Sequence, residues 1–197
     1  NVHTDTAVKK FGTASAQFDG TGDYLSSSSD YPFGRSDFTI ESWVRFSTVQ
    51  NQGIMLLSSS AENYAPYFQY YSGALAFGIN GISGLLTETW VPSADTWYHV
   101  AVSRSGNTSR MFIDGTLVDS ATDTTTWVSN GIVIGAWSSR DWDGYMDEIR
   151  ISDVARYTAT FVAPSAAFTN DDNTMLLLHC DGSNDGTSYW LKKNKFN

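Results

Sequence analysis

Residues 97–118, WYHVAVSRSGNTSRMFIDGTLV, contain the pattern that decides the fold. Apolar and polar residues alternate before and after the polar segment SGNT at 105–108, as they do in half-buried strands that a turn connects. Asp114 and Gly115 then stand where a two-residue hairpin turn needs positive φ, which an Asp-Gly pair tolerates. The stretch therefore predicts a three-strand antiparallel meander.

The first strand of this meander has two different faces, because successive side chains of a strand point to opposite sides of the sheet. One face carries Tyr98, Val100 and Val102, and the other carries Trp97, His99 and Ala101. We therefore expect His99 to be a packed histidine of the sheet and not a catalytic base.

Strand-like segments recur along the rest of the chain. Examples are FTIESWVRF (38–46), YMDEIRIS (145–152) and TMLLLHC (174–180), which Gly, Asn, Asp and Ser clusters separate from their neighbours. No stretch offers three turns with the 3.6-residue periodicity of a helix. The pattern predicts an all-β protein with antiparallel strands, built as a sandwich or a barrel.

Composition and charge exclude several classes of protein. Hydrophobic residues make up 41% of the 197 residues and charged residues only 17%, which is not the composition of a disordered chain. No apolar run approaches the roughly 20 residues of a membrane span, so no membrane insertion is expected. The net charge of −9 argues against a nucleic-acid partner, because phosphate binding needs clustered Lys and Arg. The single cysteine, Cys180, excludes an internal disulfide framework and is expected to be a small buried residue.

Five segments together resemble the laminin G-like domain of the concanavalin A-like lectin/glucanase superfamily in their order and spacing. They are SAQFDGTGDYL (15–25), DFTIESWVRF (37–46), the meander (97–118), IVIGAWSSRDWDGYMDEIRIS (132–152) and ARYTATFVAPSAAF (155–168). The similarity covers roughly residues 10–168. It implies an antiparallel two-sheet jelly-roll sandwich of the concanavalin A type.

The domain organisation follows from the same resemblance. We assign residues 1–180 to one laminin G-like jelly-roll domain and 181–197 to a C-terminal tail, a linker or the start of a following unit. The strand TMLLLHCDG (174–182) is similar to the strand that opens each unit in multi-domain members. It either fills a place in the sheet of this same domain, or marks a chain cut from a tandem array like those of phage and marine bacterial surface and tail proteins. The opening NVHTDTAV is expected to be part of something longer.

Catalysis needs a pair of acidic residues that the sequence does not provide. A retaining glycosidase uses two carboxylates about 5 Å apart, which on one strand means a spacing of two or four residues. Asp147 and Glu148 are adjacent, so we expect them on opposite faces of the sheet, and Glu41 stands isolated. We predict that the protein is not an enzyme, with a glycoside hydrolase as the least favoured alternative.

Calcium is the metal that the sequence favours, because Gly-rich acidic loops supply the hard oxygen ligands it needs. The segment FDGTGDY contains Asp19 and Asp23. The resemblance adds Asp147, since calcium-bearing members use a late acidic residue together with oxygens of an early loop. The alternative is that Asp19 and Asp23 form a turn and Asp147 bonds the neighbouring strand end.

A second candidate site lies in AWSSRDWDGY (136–145). Its members combine one aromatic side chain with polar partners, a mixture suited to stacking on a sugar ring and bonding its hydroxyls. The proposed carbohydrate-binding residues are Trp142, Arg140, Asp141, Asp143 and Tyr145. Trp137 is expected in the core. The alternative for Trp142 is a loop tryptophan that folds over the sheet edge.

These observations predict a non-catalytic recognition module. We expect a carbohydrate-binding or adhesion domain of a larger extracellular, cell-surface or virion protein. Its expected partners are a glycan or polysaccharide, and other subunits or neighbouring repeats of the same assembly. The alternative is a structural subunit of a virion or surface filament that binds no glycan.

Overall fold

The computed structural model describes residues 1–58, 65–79 and 84–186 and the backbone of 191–192. These residues form strands and contain no helix, which confirms the all-β class. None of them therefore belongs to a helix that could span a membrane. The strands are β1 (His3–Asp5), β2 (Ser15–Asp19), β3 (Leu25–Ser27), β4 (Phe38–Phe46), β5 (Gln52–Leu56), β6 (Pro66–Tyr71), β7 (Ala74–Ile79), β8 (Gly84–Thr89), β9 (Trp97–Ser105), β10 (Thr108–Ile113), β11 (Thr116–Thr122), β12 (Ile132–Ile134), β13 (Ala136–Trp137), β14 (Arg140–Asp141), β15 (Asp143–Ser152), β16 (Thr174–Leu178) and β17 (Leu191–Lys192).

These strands form two antiparallel sheets and one small hairpin. The larger sheet has nine strands in the order β1-β2-β15-β4-β9-β10-β11, with β16 beside β15 and β17 beside β16. The smaller sheet has six strands in the order β3-β12-β5-β6-β7-β8. Strands β13 and β14 pair only with each other and form what we call the 136–141 hairpin. The predicted two-sheet jelly-roll sandwich is confirmed.

The meander that decides the fold is present as expected. Strands β9, β10 and β11 follow one another as antiparallel neighbours in the larger sheet. The turn between β10 and β11 has φ of 48° at Asp114 and 78° at Gly115, the positive values that the sequence predicted. A Cβ at Gly115 would also clash with the carbonyl oxygen of Phe161, so a glycine is needed there for two reasons.

The main core lies between the two sheets and is closed by apolar side chains from both. It takes alternate residues of β4. Val100 and Val102 of β9, which were predicted to share one face of their strand, both point into it. Cys180 is also fully buried in this core, which confirms its assignment as a small buried residue. Burial of this much apolar surface is the main term that stabilises such a sandwich.

The opposite face of the larger sheet is also covered. Its cover includes Phe11, Phe168 and Ala163, which pack against Trp43, so this outer face is not open to solvent there. We call it the covered face. It holds polar groups as well as apolar ones.

Glu41 lies buried on the covered face and has three partners. His99 Nε2 is 3.0 Å from one carboxylate oxygen, Arg150 Nη2 is 2.7 Å from the other, and the Tyr157 hydroxyl donates at 2.8 Å. Burial alone would raise the pKa of the Glu41 carboxyl, but the His99 hydrogen bond and the Arg150 charge outweigh it and lower that pKa. His99 is confirmed as a packed histidine of the sheet, and the partners of Glu41 are basic and phenolic groups, not a second carboxylate.

Strand β15 contains a bulge that changes the direction of one carboxylate. Asp147 pairs with Trp43 of β4, yet Arg150 pairs with Glu41, so three steps on β15 match two on β4. Glu148 takes up the extra residue with a φ of 50°. A bulge of this kind interrupts the alternation of side chains along the strand.

Both carboxylates of the bulge consequently contact the cover of the larger sheet. Asp147 accepts hydrogen bonds from the backbone amides of Lys10 at 2.9 Å and Phe11 at 3.0 Å. Glu148 accepts one from the amide of Phe168 at 2.6 Å. The expectation that the two carboxylates lie on opposite faces is therefore wrong, and the reason is the bulge.

The C-terminal strand belongs to the larger sheet of this domain, because β16 pairs with β15 through Ile149 and Leu178. Residues after it continue to contact the N-terminal segment. The amide of Thr4 donates to the carbonyl of Gly186, and the amide of Asp185 donates to the carbonyl of Thr4, both at 2.9 Å. The tail at 187–190 and 193–197 lies outside the described residues, and the division at residue 180 stays a prediction.

We predict that Asp147 gives the protein a pH-dependent stability. Burial raises the pKa of the Asp147 carboxyl from 3.8 to about 7, although the hydrogen bonds from the backbone amides of Phe11 and Lys10 act to lower it. A group with a raised native pKa holds its proton more tightly in the folded state, so its contribution to stability falls as pH rises from about 4 to 7. In Asp147→Asn this fall should disappear, as denaturant unfolding of both proteins between pH 4 and 8 will measure.

The matched control is Asp30→Asn, because Asp30 is exposed. Its unfolding free energy should keep the pH profile of the unsubstituted protein. Parallel profiles for the unsubstituted protein and Asp147→Asn would show that Asp147 does not titrate in this range.

Candidate functional site

A cleft of about 510 Å³ opens on the outer face of the smaller sheet. One wall is formed within residues 22–28, the floor contains Leu56 and Val133, and the other wall is the 136–141 hairpin. Its volume lies within the range of small-molecule sites, roughly 300–1,000 Å³. Ile132 and Ile134 belong to the main core, so Val133 between them faces the opposite way, toward the cleft.

The 136–141 hairpin lies directly on the smaller sheet because β5 has a glycine beneath it. A Cβ at Gly53 would lie 2.5 Å from the backbone nitrogen of Trp137 and 2.7 Å from the carbonyl carbon of Ala136. Real side chains do not approach backbone atoms so closely. The absence of a side chain at Gly53 therefore allows the backbone of the hairpin to contact β5 directly.

The turn of the hairpin has an unusual backbone. Ser138 has a φ of 51° and Ser139 a φ of 43°, both in the left-handed region. Two-residue hairpin turns of this type strongly favour Asn and Gly, and serine at both positions is energetically less favourable. Both serines line the cleft and are exposed to solvent.

The aromatic wall of the cleft is held by the strand below it. Trp137 stacks on Tyr67 with ring centroids 4.8 Å apart and planes 13° apart. The guanidinium carbon of Arg140 lies 4.3 Å from the ring centre of Tyr71 and 4.6 Å from that of Trp137, and its Nη1 donates to Gln69 Oε1 at 3.3 Å. Burial raises the pKa of the Tyr67 hydroxyl, and the charge of Arg140 opposes this rise. These contacts hold the Trp137 ring in one orientation.

Trp142, predicted as the sugar-stacking residue, is in the main core. Its side chain is 0% exposed, and its ring centre lies 4.7 Å from that of Phe46. Its backbone amide donates to the carbonyl of Gly135 at 2.7 Å, and its carbonyl accepts from the amide of Gly20 at 3.0 Å. The prediction of an exposed Trp142 is wrong because these bonds turn the side chain inward. Trp137, predicted for the core, lines the cleft instead.

The other predicted sugar-binding residues divide between two places. Asp141 lines the cleft and accepts a hydrogen bond from the amide of Gly22 at 2.8 Å, while Arg140 lies beside it against Trp137. Asp143 accepts from the Thr48 hydroxyl.

Tyr145 lies on the larger sheet, with the guanidinium of Arg45 5.2 Å from its ring centre. Burial raises the pKa of the Tyr145 hydroxyl, with a smaller rise from the nearby Asp5. Tyr145 is not among the residues that line the cleft. The structure thus places Asp141 in the lining of the cleft and Arg140 beside it, while Asp143 and Tyr145 lie outside the lining.

The three carboxylates predicted to bind calcium do not converge. Asp23 lies 2.7 Å from the amino group of Asn1 and accepts a hydrogen bond from the amide of Asp19 at 3.2 Å. Asp19 pairs with Asp143, which is four residues, or about 13 Å, along β15 from Asp147. The grouping of Asp147 with the other two is therefore wrong. In the described part of the chain, no group of three or more His, Cys, Asp or Glu side chains could hold a metal. Calcium binding through other ligands stays a prediction.

The fold agrees with a family comparison. The family model Laminin_G_3, described as the concanavalin A-like lectin/glucanases superfamily, matches residues 19–163. This is more than half of the chain, and the chain belongs to that family. The resemblance found in the sequence is confirmed. A search of curated proteins finds no match.

Solved structures with the same fold come from several kinds of protein. The heptameric SAP-like pentraxin of Limulus polyphemus is 14% identical with a TM-score of 0.57, covering 90% of this chain and 91% of the pentraxin chain. Domains LG4-5 of the mouse laminin alpha1 chain are 20% identical with a TM-score of 0.58, covering 76% of this chain and 46% of the laminin chain. A Bacteroides ovatus protein proposed to bind carbohydrate is 15% identical with a TM-score of 0.57, covering 99% of this chain and 60% of the other. At these identities the likeness establishes the fold.

We predict that Trp142 contributes to stability and not to binding. Trp142→Ala would leave a cavity between the sheets and should lower the free energy of unfolding by about 3–5 kcal/mol. Chemical denaturation measures this change. Trp137→Ala is the control, since the Trp137 side chain is only partly buried and should cost less. An equal loss in both variants would contradict the assignment of Trp142 to the core.

Proposed function

We propose that this domain binds carbohydrate in the cleft between residues 22–28 and the 136–141 hairpin. The observation that carries the proposal is that one cleft is lined both by aromatic and aliphatic side chains and by several hydroxyl groups. Leu56, Val133 and Trp137 supply the apolar part. The hydroxyls come from Ser26, Ser27, Ser28, Ser138 and Ser139.

This combination fits the chemistry of a sugar ring, which has apolar C–H faces and hydroxyls around its edge. Aromatic side chains with a fixed orientation cover the apolar faces and lose little conformational freedom on binding. A serine hydroxyl donates one hydrogen bond and accepts two, so it can match a sugar hydroxyl in either role. Tyr24 adds a second aromatic side chain to the cleft and is 54% exposed.

A binding role without catalysis is supported by the placement of the acidic side chains. Asp141 is the single carboxylate among the described residues that line the cleft, and glycoside hydrolysis ordinarily requires two. Asp147 and Glu148 contact the cover of the larger sheet, and each is at most 1% exposed. The proposal is therefore a lectin-like domain and not a hydrolase.

We further propose that the domain serves adhesion within a larger extracellular, cell-surface or virion protein. The Bacteroides ovatus protein proposed to bind carbohydrate has the same fold over 99% of this chain, which supports the glycan as ligand. The fold forms one part of a longer chain in the laminin and Bacteroides ovatus proteins, of which this chain covers 46% and 60%, and nearly the whole chain in the pentraxin, of which it covers 91%. Other subunits or neighbouring repeats are proposed as further partners.

The test is a glycan array probed with the unsubstituted protein, Trp137→Ala and Trp97→Ala. Loss of a binding hot spot typically costs about 2 kcal/mol, so Trp137→Ala should weaken glycan binding roughly 30-fold. Trp97 is a half-buried tryptophan that packs on the covered face, and its replacement should leave binding unchanged. A protein that binds no glycan on the array would instead support the alternative of an assembly subunit.

Gly53 offers a separate test of the cleft geometry. Gly53→Ala should push the 136–141 hairpin away from β5, because the added Cβ meets the backbone of Ala136 and Trp137. We expect weaker glycan binding, measured by titration with the best array ligand. Gly73→Ala is the control for backbone strain without a steric contact, since its φ of 78° disfavours alanine but nothing lies within 4 Å of a Cβ at that position. It should leave glycan binding unchanged. Unchanged binding in Gly53→Ala would mean that the ligand does not depend on this wall.

A further inference from the structure

We infer that the cleft selects neutral glycans and rejects those that carry a carboxylate or sulfate group near the bound residues. This inference rests on the proposed function and names the class of ligand. It comes from the charges around the cleft, which the family assignment does not specify. Asp141 is the only charged side chain among the described residues that line it.

The carboxylate of Asp141 is fixed in the wall. Its Oδ2 accepts a hydrogen bond from the amide of Gly22 at 2.8 Å, which joins the hairpin wall to the opposite wall. A carboxylate held in this way cannot swing out of the cleft without losing a charge-assisted hydrogen bond. An anionic group of a ligand would meet a fixed negative charge.

The cation beside the cleft does not compensate for this charge. Arg140 is next to Asp141 in the chain, but its guanidinium lies over the Tyr71 and Trp137 rings and bonds Gln69 of β6. Arg140 is not among the residues that line the cleft. Moving it toward a ligand would break these contacts, which also hold Trp137.

The remaining polar groups of the cleft are suited to neutral partners. Tight binding of carboxylate or sulfate normally uses Arg, Lys or clustered backbone amides. The cleft offers serine hydroxyls, which match the neutral hydroxyls of a sugar in both directions. The net charge of −9 also disfavours anionic ligands, because it repels anionic polymers over long distances at low ionic strength.

The experiment uses the full 197-residue chain on an array of matched pairs, each a neutral glycan and the same glycan capped with sialic acid or sulfated. Like charges placed together across an interface are strongly unfavourable, so we expect capped chains to bind about tenfold more weakly or worse. The difference should shrink as salt rises, since salt screens exposed charges. In Asp141→Asn the side-chain amide oxygen can still accept the hydrogen bond from the amide of Gly22. The ratio of the affinity for a neutral glycan to that for its capped partner should fall several-fold in this variant.

Each outcome bears on the inference. Binding that depends on Trp137, prefers neutral chains and loses this preference in Asp141→Asn supports it. Binding that depends on Trp137 but is equal or stronger for capped chains overturns it and leaves the proposed function standing. An unchanged preference in Asp141→Asn overturns the assignment of selectivity to that carboxylate. If no chain shows binding that depends on Trp137, both the inference and the proposed function fail.

Discussion

The packing of Trp142 between the two sheets is the constraint on which the candidate site depends. Its ring is enclosed beside Phe46, and its backbone bonds both to Gly20 and to Gly135. Gly20 precedes one wall of the cleft, and Gly135 precedes the hairpin that forms the other. One buried residue therefore sets the distance between the two walls, although none of its own side-chain surface is available to a ligand.

The parts of the fold that follow local rules could be predicted from the sequence. Alternation along 97–118 and the Asp114-Gly115 turn gave the meander correctly, because strand faces and tight turns are set by residues close together in the chain. The family resemblance then supplied the two-sheet arrangement. His99 was placed correctly because it lies within an uninterrupted strand pattern. Cys180 lies two residues beyond the end of β16, and it was placed correctly because cysteine is small and is usually buried.

The errors arose where the alternation is broken. The 136–141 hairpin inserts a turn between Trp137 and Trp142, so the strand pattern that put Trp137 in the core does not continue across it. The bulge at Asp147 and Glu148 has the same effect in β15 and brings both carboxylates to one face. The cleft itself depends on Gly53, which is far from the hairpin in sequence, and no local pattern predicts that contact. The serine run at 26–29 was the one local signal that could have indicated a polar wall.

The two outer faces of the sandwich differ in how freely their residues can change. On the covered face, Glu41 bonds three side chains at once, and a substitution there would leave charges without partners in a dry environment. On the face with the cleft, the serines at 26, 28, 138 and 139 are exposed and do not pack in the core. Substitutions in the loops that line the cleft should therefore disturb the fold less than substitutions on the covered face, which holds the scaffold together.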